Sequence, residues 1–553
     1  MKKWNINSSI SPKNQEEIIN TLLNNRGITN SDQKKEFLNP LLQSVTFESI
    51  GIKEEEIKKT AKRIERAIKN NEVIVIFGDY DVDGVTGTAL LWETLYWNFG
   101  YKNVFPYIPH RINEGYGISE KGIDGVLLEH SDTSLIITVD NGIVAGDAIK
   151  YAASKKIDVI VTDHHVPGEK LPESLAIVHT TNVCGASVAF LLSLYLEGKK
   201  ITEDDPRLDL VALATVADLV PLIGPNRVLL HFGIQALRRS KRPGIESLVK
   251  SSSIEKSKIG VYEIGHILAP RINAAGRLDH ALDSLRILCT RNRERSDILA
   301  RQLSEVNKER QSMTQEASSV AKSLVVFESE MKIIVSSSAD YKQGIIGLIA
   351  SRLTEEFYRP ALVISEGEEI SKGSARSIKG VNIIELIRSS STYLLEMGGH
   401  PMAAGFSLKT RDIASFTKEI SKNAAEYIEE QYFQRSINID FELNDELITE
   451  KTYLEIQKLA PFGMGNNEPT FLTKNLEILD IKKIGKDKTH LKLVLGTGKN
   501  RIHAIGFGLG KFDEIPESGD IIDVVYTLSI NEWNDRKTLQ LVIRDYLPTA
   551  DVS

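Results

Sequence analysis

The chain has 553 residues, more than one hydrophobic core usually organises, so it is expected to divide into about three to four domains. With 41% hydrophobic, 26% charged and 7% aromatic residues it reads as a folded soluble chain, not a disordered, collagen-like or membrane-embedded one. The net charge of -7, from 68 Lys and Arg against 75 Asp and Glu, excludes a uniformly basic nucleic-acid coat, so any polyanion site must be a local patch.

The first residues, Met1 to Trp4, lead into polar sequence with no apolar leader, and a polar arm is expected over residues 1–50. From Lys53 to Asn70, Ile57, Ala61, Ile64 and Ile68 recur at helical spacing. Three continuous apolar runs follow, Val73–Phe77, Leu135–Val139 and Val159–Val161, with helical segments between them at Thr86–Trp97 and Val144–Ser154. Strands apolar on both faces and separated by helices predict a parallel α/β sheet, in a domain over 51–290. The longest apolar stretch, Leu208–Ile223, is broken by Asp209 and Asp218, so no membrane span is expected. Two cysteines, Cys184 and Cys289, are too few for a disulfide framework, which points to a cytoplasmic protein.

From Arg291 to Leu324 the residues Leu299, Leu303, Val306, Met313, Ala317, Val320 and Leu324 predict one long helix, with Arg310 interrupting its seam; it is read as a connector over 291–330. A second α/β unit over 331–432 starts at Ile333–Val335, continues through a helix at Gly344–Glu356 and a strand at Ala361–Ile364, and closes with a helix from Ile413 to Tyr432. Over 433–553 apolar and polar residues alternate, as in Leu491, Leu493 and Leu495, which predicts antiparallel strands closing into a small β-barrel. Between Ile481 and Arg501 seven Lys or Arg face the single acid Asp487, a basic face on an acidic protein, with a solvated hairpin as the plainer alternative.

The chemistry gathers where the first sheet's strands end. The first strand runs into Asp79-Tyr80-Asp81-Val82-Asp83-Gly84, the second into Asp140-Asn141-Gly142 and the third into Asp163-His164-His165. Ligands in open parallel sheets sit beyond the carboxyl ends of the strands, so the three motifs are expected to share one crevice. Crowded carboxylates are costly without a bound cation. Asp218, in the otherwise apolar Leu208–Leu219 helix, needs one for the same reason. Carboxylates with two imidazoles and no thiolate suit Mn²⁺, with Mg²⁺ as the alternative, and two ions sharing a bridging carboxylate would serve phosphoryl transfer to water.

In order and spacing, Asp79 to Gly84, Asp140-Asn141-Gly142, Asp163-His164-His165 and Ala217-Asp218 resemble the four motifs of the DHH phosphoesterase superfamily. Further segments, Asn25–Thr29, Pro109–Arg111 with Gly115–Gly117, Ala269–Arg277, Gly373–Ser377, Gly398–Pro401 and Pro461–Asn466, extend the likeness over nearly the whole chain to the superfamily's single-stranded-DNA-specific exonucleases. The resemblance implies a parallel-sheet DHH domain, a long helix, a smaller α/β DHH-associated domain and an OB-fold that grips single-stranded DNA. It implies 5′-to-3′ hydrolysis releasing nucleotide 5′-monophosphates in DNA repair and recombination. A single-stranded-DNA-binding protein and a helicase are the candidate protein partners.

Carried over by position, the family's metal ligands fall on Asp81, Asp83, Asp140, His164, His165 and Asp218. Asp79 and Asp163 belong to the same motifs in supporting roles, and where this chain has Phe77 and some relatives have His, one coordination position is left to water or to Asp79. Asp140, Asp163, His165 and His400 are the candidate catalytic residues, His165 by polarising the scissile phosphate. Arg111, Tyr116, Arg277, Ser374, Arg376 and His400 are expected to contact substrate, because a guanidinium fork matches phosphate oxygens. The segment His179–Val183 is shorter than the family's usual loop, which puts local substrate contacts in question. A DHH phosphodiesterase for short oligonucleotides or cyclic dinucleotides would not need the basic barrel, and an inert DNA-binding relative would be expected to have lost ligands.

Overall fold

The computed structural model of the chain describes residues 2–111, 113–278, 281–325, 330–497, 500–512, 515–533 and 536–549. A short strand, β1 (Lys3–Ile6), and a helix, α1 (Gln15–Asn25), come first; Asn14 caps α1 by accepting from the Glu17 amide. Both belong to a unit formed by residues 1–41, 221–224 and 434–553, while 42–220 and 225–433 form a second, larger one.

The first sheet of the larger unit is wholly parallel. Its strands β2 (Val73–Phe77), β3 (Val104–Tyr107), β4 (Thr133–Val139), β5 (Asp158–Asp163) and β6 (Ala176–His179) lie in the order β3-β2-β4-β5-β6. Ile74 to Phe77, Ile136, Ile137, Val139, Ile160 and Val161 are fully buried. Strands covered on both faces show no polar alternation, which is why they read as unbroken apolar runs. Because β2 pairs with β3 on one side and β4 on the other, strand order reverses there and a crevice opens beyond their carboxyl ends.

Helix α2 (Val82–Glu93) leaves β2 almost directly and packs against α3 (Gly185–Leu196) and α4 (Leu208–Ala217). It starts four residues before the expected Thr86 because Asp81 accepts the Gly84 amide and fixes the first turn. Past Glu93 it widens into a π turn, Thr94–Asn98. Helix α5 (Ala269–Leu278) precedes the long α6 (Arg293–Leu324), which packs against it. The buried face of α6 differs from the expected stripe: Leu299 and Leu303 are buried, but further on Asn307, Thr314, Ser318 and Ala321 are, while Val320 and Leu324 are exposed. Small and polar side chains let neighbouring helices approach closely there, so the tertiary partners, not the apolar period, select the face.

The second sheet comprises β7 (Ile334–Ser338), β8 (Ala361–Ser365), β9 (Ile370–Arg376), β10 (Leu394–His400) and β11 (Ala403–Lys409), in the order β10-β11-β9-β8-β7. Only β7 and β8 are parallel to each other. Helix α7 (Ile346–Phe357) lies between β7 and β8 in the chain and packs on β8 and β9, and α8 (Ile413–Tyr427) ends before the expected Tyr432.

In the smaller unit β12 (Ser436–Ile439) runs parallel to β1 and pairs Lys3 with Ser436 through Ile6 with Ile439. After β13 (Phe441–Glu442), strands β14 (Phe471–Ile484), β15 (His490–Thr497), β16 (Asn500–Gly506), β17 (Ile521–Trp533) and β18 (Arg536–Pro548) follow. They run β14-β15-β16-β18-β17, and β17 pairs back onto β14, closing the barrel. Ile18, Leu22 and Leu23 of α1 enter the same core as Phe441, Phe471 and Tyr526. Residues 1–41 of the expected arm therefore build onto the barrel. The Trp4 indole donates to Asp545 at 2.9 Å and its ring packs with Ile439, Leu472 and Val525. Trp4→Ala is expected to cost about 1–3 kcal/mol through lost packing and one hydrogen bond. The measurement is the barrel unit's thermal transition, and an unchanged midpoint would separate the arm from the barrel core.

Candidate metal centre

Each strand end is shaped to present a carboxylate. After β2, Asp81 caps α2 at 3.1 Å from the Gly84 nitrogen, and Asn273 of α5 accepts the Val82 amide at 2.9 Å. Gly84 is obligatory, since a Cβ there would lie 2.5 Å from the Asp79 nitrogen. Asp83, one residue into α2, accepts the Gly185 and Ala186 amides at 2.6 and 2.7 Å, so the positive end of α3 is aimed at its carboxylate. After β4, Asp140 takes a left-handed backbone with φ 63°. Its neighbour Asn141 donates to the Phe77 and Val139 carbonyls and accepts the Ile118 amide, tying the ends of β2 and β4 together.

After β5, Asp163 is occupied differently. Its Oδ1 accepts the amides of His164 and His165 and the His165 Nδ1 proton at 2.8 Å, while Oδ2 accepts the Ile143 amide. It therefore orients His165 rather than facing the crevice. His179, at the end of β6, donates to the His165 carbonyl at 2.7 Å, so the shortened segment after it begins at a residue that braces the site. The Tyr116 hydroxyl lies 2.9 Å from His165 Nε2 and 3.2 Å from the Asp140 carbonyl. Asp218 is the C-cap of α4.

The ligand candidates converge. His164 Nε2 stands 3.0 Å from Asp140 Oδ1, 3.4 Å from Asp218 Oδ2 and 3.5 Å from Asp83 Oδ2. Asp83, His164 and Asp218 form one cation-sized group, Asp79, Asp81 and Asp140 a second, and Asp140, His164 and His165 a third, each with its donor atoms within 4.8 Å of one another. Asp140 is common to the last two and borders the first through His164. Both oxygens of Asp79, Asp140 Oδ1, Asp218 Oδ2 and His164 Nε2 are buried with no hydrogen-bond partner among the described residues. Orphaned buried acceptors of this kind fit a metal ion, and an imidazole among them fits a transition metal.

Burial and then mutual repulsion set the protonation. Both raise Asp79 and Asp140 far above the ordinary carboxylate range, raise Asp81, and push Asp218 up to about 9. Burial lowers His164, leaving its nitrogen lone pair free for a cation. Burial acts against protonated His165 as well, but the hydrogen bond and charge of Asp163 outweigh it and raise that imidazole. Asp163 moves the opposite way: burial works to raise it, and His165 with the backbone donors brings it down.

Beside the acids lies a group of cations. The Arg111 guanidinium sits 5.0 Å from the ring centroid of Tyr80, which separates Asp79 from Asp81, and Tyr80 meets Tyr116 edge to face. Arg277 of α5 is pushed down to about 10 by burial and by repulsion from Arg111, Arg310 and Arg376. A Cβ on Gly347, in the first turn of α7, would lie 3.0 Å from the Arg376 guanidinium and 3.1 Å from Ser374 Oγ, so glycine there lets the helix start meet both. The pairing of β10, β11 and β9 aligns His400 with Ala403 and Arg376, placing Ser374, Arg376 and His400 on one face of the sheet. The His400 side chain is exposed and makes no hydrogen bond or ion pair among the described residues. Sequence reasoning passed over Asn273, the α3 amides and His179. Backbone donors carry no sequence signal, and the two side chains act only through distant partners.

A sheet end carrying buried carboxylate oxygens and an imidazole nitrogen without partners, followed by a mixed sheet bearing arginines, defines a metal-dependent phosphoesterase of the DHH type with a barrel appended. Family models match accordingly: the N-terminal domain of the DHH family over residues 73–215, the DHHA1 domain over 330–427 and the RecJ OB domain over 439–545. The chain is 37% identical over 542 residues to the single-stranded-DNA-specific exonuclease RecJ of Bacillus subtilis strain 168, covering 96% of this chain and 67% of that protein. With RecJ of Escherichia coli K12 the identity is 31% over 532 residues, covering 89% and 90%. The crystal structure of Thermus thermophilus RecJ in complex with Mn²⁺ superposes with a TM-score of 0.82 at 28% identity, covering 99% of this chain and 80% of that one. The chain belongs to the RecJ family.

Aspartates held above their unfolded values bind protons in the folded state that the unfolded chain releases, so they favour folding at low pH and lose that contribution as pH rises. Metal-free protein is therefore expected to lose thermal stability between the ordinary aspartate value near 4 and about 9, the Asp218 value. Added Mn²⁺ should raise the melting temperature more at pH 8 than at pH 6. Asp140→Asn should stabilise the metal-free protein at pH 8 while weakening that Mn²⁺ response. A flat pH profile without metal would contradict this electrostatic account.

Proposed function

We propose that the protein is a metal-dependent exonuclease that hydrolyses single-stranded DNA from its 5′ end and releases nucleotide 5′-monophosphates. The observation that carries this reading is the juxtaposition, within one unit and among the described residues, of buried acceptors lacking partners with a group of mutually repelling guanidiniums. The names of the relatives and the barrel support the DNA substrate.

Asp79, Asp81, Asp83, Asp140, His164 and Asp218 would hold the metal ions, with His165 at the edge of the set. Mn²⁺ is the preferred ion on donor chemistry, and Mg²⁺ is the alternative; RecJ of Thermus thermophilus has been solved with each. Metal ions in such a site lower the pKa of a water and stabilise charge on a phosphoryl group. Asp163 fixes the His165 tautomer with the proton on Nδ1, so Nε2 faces outward to Tyr116 and, in the complex, to a scissile phosphate oxygen. Protonated there, His165 donates to that oxygen as negative charge builds on it.

Arg111, Arg277, Ser374 and Arg376 would receive the terminal phosphate, whose charge of about −1.5 to −2 exceeds that of an internal phosphodiester. His400, on the same sheet face, would contact the scissile region. A terminus anchored beside the metal ligands sets the cut at the first internal linkage, which accounts for mononucleotide products. The outward face of the barrel supplies Lys482, Lys492, Arg501 and His503, with exposed Phe507 as a stacking platform. The Trp533 side chain, also expected to stack, lies outside the described residues. A single-stranded-DNA-binding protein and a helicase, which cover and generate such strands, are the proposed partners. Two unpaired cysteines are in keeping with a cytoplasmic protein.

Two measurements test this reading. In a metal-dependent cleavage assay, Arg376→Ala should slow hydrolysis of a 5′-phosphorylated strand by about tenfold or more, from a lost charge-assisted contact of about 1.5–3 kcal/mol. Loss on a 5′-hydroxyl strand should be much smaller, and equal losses would move Arg376 from end sensing to the scissile phosphate or the fold. Lys492→Glu with Arg501→Glu should weaken single-strand binding and reduce the slope of log K against log salt by about 0.7 per lost contact. An unchanged slope would leave the basic strands as a solvated surface.

A further inference from the structure

The basic group does not end at the terminal-phosphate residues. Arg310, midway along α6, is half-buried with an Nε that has no hydrogen-bond partner, and no acid pairs with it among the described residues. Burial and repulsion from Arg352 lower its guanidinium, and Arg310 in turn acts on Arg277. Helix α7 supplies the alignment. A Cβ at Gly344, just before α7, would sit 1.9 Å from the Arg277 carbonyl, and Gly347 abuts Arg376 and Ser374. Arg352 lies further along the same helix, on its exposed side, and has no ion pair among the described residues. Helices α6 and α7 pack together, Met313 and Ala317 of α6 sharing a core with Ile349 and Leu353 of α7 and Leu278 of α5, so Arg310 and Arg352 come from neighbouring turns close to Arg277, with Arg352 on the exposed side.

Arg310 and Arg352, which have no ion pair among the described residues, gain when an anion arrives. Arg111, Arg277 and Arg376 already exceed the charge of a terminal monophosphate of about −1.5 to −2, and Arg310 and Arg352 add two further cations. Each further phosphate brings at least about one negative charge and oxygens that suit a guanidinium fork. We propose that Arg310 and Arg352 form a second anion subsite that takes the outer phosphates of a 5′-triphosphorylated strand, so that a strand begun with a nucleoside triphosphate is a direct substrate. This rests on the assignment of Arg111, Arg277, Ser374 and Arg376 to the terminal phosphate. In the first turnover the water oxygen bonds to the phosphorus joining nucleotides one and two. The bond from that phosphorus to the 3′-oxygen of nucleotide one breaks, and the 3′-oxygen takes a proton. The first product is then a nucleoside 5′-triphosphate, and the shortened strand carries a 5′-monophosphate.

The test uses the full-length protein with Mn²⁺ and three oligonucleotides that differ only in a 5′-hydroxyl, monophosphate or triphosphate. The wild type should cleave the triphosphate strand within about tenfold of the monophosphate strand and release a nucleoside triphosphate first. Arg310→Gln and, as a surface change that spares the packing, Arg352→Glu should each lower the triphosphate-to-monophosphate rate ratio by about threefold or more. A wild type more than about tenfold slower on the triphosphate overturns the subsite, as does a ratio that Arg352→Glu leaves within about threefold. If the wild type treats hydroxyl and monophosphate ends alike, the terminal-phosphate assignment fails instead, so the two failures are told apart.

Discussion

Mutual repulsion among Asp79, Asp81, Asp83, Asp140 and Asp218, gathered at the carboxyl end of the parallel sheet, is the constraint on which the larger unit depends. Two carboxylates 4 Å apart repel by about 4 kcal/mol at an effective dielectric of 20, more than most single packing contacts return. The surrounding chain is built to contain that repulsion. The amides opening α3 hold Asp83, the Gly84 amide holds Asp81, and the buried amide of Asn141 locks the strand ends at the spacing the cluster needs. What remains unsatisfied, on Asp79, Asp140, Asp218 and His164, is the part that asks for a cation. A site of this kind gives up stability in the metal-free state in return for metal affinity.

Charge separation is the second consequence of the same arrangement. Acids occupy the strand ends of the parallel sheet, and the arginines come from the segment after β3, which carries Arg111, and from α5, α6 and β9 later in the chain. Only the backbone approach allowed at Gly344 and Gly347 lets α7 close on them. Hydrolysis of a phosphodiester needs both signs: cations held by the carboxylates at the reacting phosphorus, and fixed guanidiniums at the phosphates that do not react. Tyr80 contacts both groups, its ring lying under the Arg111 guanidinium and edge to face with Tyr116, whose hydroxyl reaches His165.

The barrel unit obeys a different rule. Its closed hydrogen-bond ring removes the free edges of an open sheet, and its interior is filled by alternate residues such as Leu491, Leu493 and Leu495. That leaves the outward positions of β14 to β16 free to carry lysine and arginine without cost to the core. The N-terminal strand and helix complete this core from the far end of the sequence, so the first and last parts of the chain form one folded body.

Much of this was legible in the sequence because burial on both faces writes itself as unbroken apolar runs, and because like charges crowded at strand ends have few uses other than cation binding. The parallel sheet, the long helix, the barrel and the ligand candidates all follow from such local patterns. The four-residue β1, the proline-containing β3 and the antiparallel strands β9 to β11 left no such pattern: β1, β3 and β10 lie at sheet edges, and glycines interrupt the apolar alternation of β9 to β11. Tertiary structure alone decided that Asp163 serves His165, that α3 lends its amides to Asp83, that α6 buries a polar face, and that Arg310 joins Arg277 and Arg352. Periodicity reports whether a residue is covered, but the identity of what covers it comes from parts of the chain tens to hundreds of residues away, and those meet only on folding.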